Sequence, residues 1–137
     1  MAFNFKEKAA EIRRTKRTLP IQVGNIAKNH FLDSFRDQGF TDSSLSPWAA
    51  RKTRNKSDRR NRANRAILVD SGDLRRSIRV GTARFERIEV GSYGIRYAGY
   101  HNKGEGRQPI RKFVGSSRKM NTEIRNKIRK QIIKVLK

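Results

Sequence analysis

The chain has 137 residues, 34 of them Lys or Arg and 12 Asp or Glu, for a formal charge of +22 and a pI near 11.5. That length suits one domain, a hydrophobic share of 34% leaves a lean core with material outside it, and the absence of cysteine excludes disulfides, thiol nucleophiles and thiolate zinc sites. No stretch approaches the ~20 apolar residues of a membrane span and MAFNFKEKAAEIRR lacks the apolar centre of a signal peptide, so a cytosolic site of synthesis is expected, with nucleic acid, acidic protein or anionic lipid as counter-charge.

Residues 1–19 read as a basic arm. Lys6, Lys8, Arg13, Arg14, Lys16 and Arg17 are relieved by Glu7 and Glu11, over a weak apolar stripe of Ala9, Ala10 and Ile12. Pro20 suits the first turn of a helix, where a missing N–H costs nothing. Val23, Ile26, Ala27, Phe31 and Phe35 then recur at spacings of three and four, which predicts an amphipathic helix to about Gln38 with Gly39 as its C-terminal cap. Residues 20–137 are expected to form a single α+β domain.

Between residues 41 and 66 the periodicity is lost, first in turn formers (TDSSLSP) and then in RKTRNKSDRRNRANR. This is expected to be a basic loop: Arg51, Lys52, Arg54, Lys56, Arg59, Arg60, Arg62 and Arg65 stand against Asp58 alone, a net +7. Trp48, at the mouth of the loop, is read as an anchor to the core in preference to a base-stacking platform, because it has no aromatic partner nearby in the sequence. Asp70 or Ser71 can cap a short helix through Leu74 and Ser77. Alternation at Ile78, Val80 and Thr82, at Ile88 and Val90, and at Ile95 and Tyr97 predicts a small antiparallel meander. A turn-rich loop over residues 102–109, a strand over Arg111 to Val114 and a closing helix follow. In that helix Met120, Ile124, Ile128 and Ile132 lie four apart, and Arg118 to Lys137 net +7. The expected fold class is α+β: a long N-terminal helix and a C-terminal helix packed on a small antiparallel sheet, with a long basic loop.

Groups that could carry catalysis are few. His30 borders the apolar stripe of its helix and is assigned no chemistry. His101-Asn102 lacks the second His that would complete a nuclease metal site. Ser71 has no Gly-x-Ser-x-Gly elbow, the glycines at 99, 104 and 106 make no phosphate loop, and the acids are scattered singly. The basic runs instead favour a polyanion or an acidic partner, with no sequence-reading motif.

LVDSGDLRRSI, VGSYGIRYAGYHNKG and QPIRKFVGSS, in that order, resemble the phage virion morphogenesis or tail-completion family. The resemblance rests on Trp48, Ser71, Gly72, Leu74, Ser77, Ile78, Tyr97, Ala98, His101, Gly104, Pro109, Arg111, Phe113 and Gly115, and runs from about Phe31 to the C-terminus. The basic insertion between Trp48 and Ile67 lies outside it. The resemblance implies a structural, non-enzymatic protein of the phage neck or tail, a head-tail connector or tail-completion protein forming a ring around the DNA channel. Its expected partners are copies of itself, portal or connector and tail proteins, and packaged double-stranded DNA bound without sequence preference. No cofactor, small-molecule substrate or membrane is expected. The location implied is the virion, with the host cytoplasm before assembly. In structural terms Gly72 and Gly104 would permit turns, Leu74 and Ile78 would face the core together, Tyr97 and Phe113 would fill it, and His101 would be a hydrogen-bonding tie in the loop before Gly104. The alternative is a free-standing, non-specific nucleic-acid-binding protein.

Overall fold

A computed structural model describes residues 2–51 and 65–137. Helix α1 spans Phe5–Asp37, strands β1 Gly39–Thr41 and β2 Leu45–Pro47 form one hairpin, α2 is Asp73–Arg76, strands β3 Ile78–Arg84 and β4 Arg87–Ser92 form a second, and α3 Ala98–Lys103 and α4 Arg118–Leu136 complete the chain. The class is α+β, as expected, but the sheet is two separate two-stranded antiparallel hairpins.

Helix α1 does not start at Pro20. Asn4 caps it, its side chain accepting from the N–H groups of Lys6 and Glu7, and the helix then runs about 50 Å at 1.5 Å per residue. An interior proline forfeits a backbone hydrogen bond and normally costs ~3 kcal/mol. Here its ring is fully buried in a helix that packs on α4 and on β3–β4, and tertiary burial overrides local propensity. Gly24 lies where the helix approaches the hairpin, since a Cβ there would stand 3.1 Å from Val80.

The C-terminal cap of α1 falls one residue before the expected glycine. Gln38 itself adopts the left-handed conformation, with φ 54°, and its N–H bonds to the Ser34 carbonyl. Gly39 is instead the first residue of β1, where a Cβ would stand 2.5 Å from the Ser46 carbonyl oxygen, so close strand approach is what requires glycine there. The β1–β2 hairpin, paired Gly39↔Pro47 to Thr41↔Leu45, occupies a stretch whose three-residue strands are too short to show a period.

In the second hairpin Ile78 pairs Ser92, Val80 pairs Val90 and Ala83 pairs Ile88, with a bulge between Val80 and Thr82. The meander stops there. Gly94, at φ 77°, turns the chain out of the strand direction, and Ile95 and Tyr97 lead into α3. Arg111 to Val114 is not a strand either. Its N–H groups are taken by the Asn102 side chain, at 2.8 Å from Phe113 and 3.0 Å from Val114, and by the His101 carbonyl, at 2.8 Å from Arg111. Helix α4 starts as a capped helix should, with the Ser117 hydroxyl accepting from the Met120 N–H.

The core joins Phe31, Phe35, Phe40, Trp48, Leu74, Ile78, Phe113 and Met120. Phe35 is edge-on to Trp48 and tilted on Phe113, with centroids 5.6 and 5.3 Å away. Leu74 and Ile78 face this core together. Tyr97 does not: it is 44% exposed, and the buried residue of that turn is Ala98. Phe113 is 1% exposed and Leu74 3%, so Phe113→Ala and Leu74→Ala are each expected to lower stability by about 2–5 kcal/mol. Urea unfolding monitored by circular dichroism checks this, and an unchanged midpoint in either variant refutes its place in the core.

Candidate functional site

Residues of the three family-like segments gather where α2, α3, the 111–114 segment and the chain after β2 meet. Trp48 is buried and its Nε1 donates to the Lys112 carbonyl at 2.7 Å. Arg111, also buried, donates Nε and Nη2 to the Ala49 carbonyl at 3.2 and 3.0 Å. Asn102 adds a bond from Nδ2 to the Val114 carbonyl at 3.0 Å. The chain after β2 is thereby tied to the 111–114 segment across more than 60 residues of sequence, and the N–H groups of Arg111, Phe113 and Val114 and the carbonyls of Lys112 and Val114 find partners.

Beside this junction opens a cleft of about 370 Å³, whose walls include Leu68, Ser71, Leu74, Tyr97, His101 and Arg111. Gly72, with φ 84°, and Gly104, with φ 71°, take the left-handed turns expected of them. Gly72 is itself the N-cap position of α2 and makes no side-chain cap bond, while Ser71 Oγ accepts from the Asp73 N–H at 3.3 Å and donates to the Asp73 carboxylate at 2.6 Å. The bond from Ser71, followed by that from Arg76, holds the Asp73 carboxyl below the usual range. Ser71 therefore serves the turn.

His101 differs from its expected role. It lies in α3, not in a loop, and its tie to Arg111 runs through its backbone carbonyl. Among the described residues its buried Nδ1 has no hydrogen-bond partner, and the ring stands edge-on to Tyr97 with centroids 6.0 Å apart. Burial first, and then the Arg111 charge, push its pKa down. Arg111 is likewise lowered by burial and by the neighbouring Arg51 charge. His30 is a packing residue: its Nε2 lies 3.0 Å from the Thr41 carbonyl and its ring is edge-on to Phe40. Among the described residues no group of three His, Asp or Glu could hold a metal ion.

Of the eight basic loop residues, Arg51 and Arg65 are described. Arg51 donates to the Ala66 carbonyl at 2.9 Å and Arg65 pairs with Asp70 at 2.8 Å, so the loop leaves and rejoins the body at one point beside the cleft. Lys52, Arg54, Lys56, Arg59, Arg60 and Arg62 lie outside the described residues. Pro109 and Gly115 flank the tied 111–114 segment.

Three organising residues escaped the sequence reading. Asn102 stitches 111–114 as described above. The Gln38 side chain bonds to both the N–H and the carbonyl of Ile67, fastening the far side of the loop to the end of α1. Asp42 receives the Arg118 N–H on its carboxylate at 2.7 Å and the Lys119 N–H on its carbonyl at 3.0 Å, docking α4 on the first hairpin. Each acts on backbone 11 to 77 residues away, and no local pattern records such a pairing.

The model of one protein family, described as the phage virion morphogenesis family, matches residues 7–132. No curated protein and no solved structure matches the chain.

The lowered His101 pKa fixes a sign. In the folded state the ring stays neutral, whereas in the unfolded chain it takes a proton as pH falls through about 6.5. The unfolded state then binds more protons, so stability falls as pH drops below that value until the folded pKa is passed. His101→Gln is expected to show a smaller loss of Tm between about pH 7.5 and about pH 5.5 than the parent chain. An equal loss in both refutes a neutral, half-buried imidazole.

Proposed function

The chain belongs to the phage virion morphogenesis family, and from that membership we propose a structural part in the neck or tail of a tailed phage, as a head-tail connector or tail-completion protein assembled in a ring around the DNA channel. The observation that carries the reading is the division of labour in the fold. Trp48, Leu74, Phe113 and Arg111 are spent on packing and on holding backbone, and what remains for partners is a strongly basic surface on a chain of formal charge +22. Such a protein acts by binding.

A ring is supported by the strands. Each sheet has two strands, so neither hairpin has its outer edges paired by another strand among the described residues, and such edges accept a neighbour's backbone. No side chain of α1 before Leu19 is buried, and on that ground residues 1–19 are treated in this reading as a basic arm of a single domain over 20–137. In the ring the basic segments repeat around one axis and their contacts sum. Residues Arg51 to Arg65 face DNA or the acidic surfaces of portal and tail proteins in this reading, and the protein moves from host cytoplasm to virion on assembly. Quantitative mass spectrometry of DNA-filled particles, calibrated on the major capsid protein, is expected to find a small fixed copy number; absence from finished particles overturns the structural reading.

The basic runs also favour a second reading, a free-standing non-specific nucleic-acid binder. It requires the isolated monomer to bind duplex DNA with a log–log salt slope near about −5 for about six phosphates neutralised. Weak binding that is flat with salt refutes it.

A further inference from the structure

Helix α4 has one buried residue, Met120, near its N-terminus. Beyond it the helix is held against α1 on one side, where Lys8 Nζ reaches the Val135 carbonyl at 3.0 Å. One flank of α4, adjoining that packed side, carries an open groove of about 580 Å³ lined by residues of this helix alone, Ile124, Ile128, Ile132 and Ile133 with Arg125 and Arg129 on its border. Ile132 is 49% exposed, Ile133 46% and Leu136 79%. Scattered exposed apolar residues are ordinary on a protein surface, but a continuous apolar face of this kind on one helix marks a contact site.

The charges around the groove are equally unspent. Among the described residues Arg125, Lys127, Arg129, Lys130 and Lys134 make no ion pair; the single ion pair on α4 joins Arg118 to Asp42 at its first turn. Helix cations normally find acids three or four residues away, and here Glu123 is the only acid in the helix. An apolar strip bordered by uncompensated cations is complementary to an apolar strip bordered by carboxylates. A second copy of the same face would bring its own arginines and lysines to the contact, with like charges opposed across it.

We propose that this face of α4 is a docking groove for an acidic amphipathic helix of a different virion protein. The groove runs along a helix about 28 Å long, enough for three or four turns of partner helix reading i, i+3/i+4, i+7 into it. The area of one helix pair is below that of a standard stable interface, so the single contact is weak and gains strength from repetition in the particle. The inference draws on family membership and stands whether or not the protomers close into a ring.

The test uses the full chain and a labelled synthetic helix of about 18 residues, with leucines on one face and glutamates elsewhere, followed by fluorescence anisotropy at about 0.15 M salt. A second peptide of the same composition, with its leucines dispersed around the helix, is the control. The expected result is saturable micromolar binding of the first peptide and at least about tenfold weaker binding of the second. The double variant Ile132→Ser/Ile133→Ser and, separately, Arg125→Gln/Arg129→Gln are each expected to weaken the first peptide about tenfold. Both pairs are on the surface, circular dichroism verifies the fold, and the arginine pair keeps the test valid if the isoleucine pair perturbs α4. Equal binding of both peptides, an unaffected isoleucine variant with its fold intact, or no measurable binding overturns the proposal. So does self-association in sedimentation equilibrium that Ile132→Ser/Ile133→Ser abolishes, which would assign the face to a second copy. None of these outcomes bears on the copy number in particles, so this proposal and the neck or tail reading fail separately.

Discussion

A buried segment without a strand partner governs this fold. Phe113 is the most buried large side chain, yet the backbone that carries it joins no sheet, and every unpaired N–H or carbonyl taken into a core costs about as much as a lost hydrogen bond. The chain resolves this with side chains. Asn102 turns its amide onto Phe113 and Val114, Trp48 donates to the carbonyl of Lys112, and Arg111 reaches from the same segment to the carbonyl of Ala49. Because the donors and acceptors come from α3 and from the chain after β2, satisfying one short segment also fixes where those elements sit. The cleft beside them follows from that placement.

Charge is the second constraint. A net +22 on a chain with a modest core works against compaction through self-repulsion. The pairs present are mostly local and exposed, such as Arg36 with Asp33 and Arg76 with Asp73, and pairs of that kind contribute little to stability. Among the described residues Arg125, Lys127, Arg129, Lys130 and Lys134 of α4 are in no ion pair, and an acidic surface or a polyanion would relieve repulsion there and add contacts in one step.

What the sequence made legible was what repeats at short range. The spacing of Val23, Ala27, Phe31 and Phe35 announced the buried stripe of α1, with Ile26 half-buried at its border, the four-residue spacing from Met120 announced α4, and the alternation at Ile78, Val80, Ile88 and Val90 announced the second hairpin. Leu74, Trp48 and Phe113 were readable as core because each is a large apolar group beside polar turns. The start of α1 was misread at Pro20 because its first turns are solvated and stabilised by docking on α4, a partner more than 100 residues away. Tyr97 was misplaced because alternation with Ile95 suggested a strand that the turn at Gly94 prevents. The ties made by Asn102, Gln38 and Asp42 join groups distant in sequence and leave no periodic trace. At the candidate site, the residues carrying the family resemblance were visible one by one, but that Ser71, Gly72, Leu74, Tyr97, His101 and Arg111 line one cleft was visible only in three dimensions.

The closure at the root of the basic loop has a consequence for how such a chain can change. Arg51 is hydrogen-bonded to the carbonyl of Ala66, and Gln38 clasps Ile67 next to it, so the two stems meet independently of what lies between them. Doubling the length of a loop whose ends are already together costs only about 0.6 kcal/mol in closure entropy. The hydrogen bonds at the stems thus make a fixed root, onto which a segment of another length can be grafted at little cost in closure entropy.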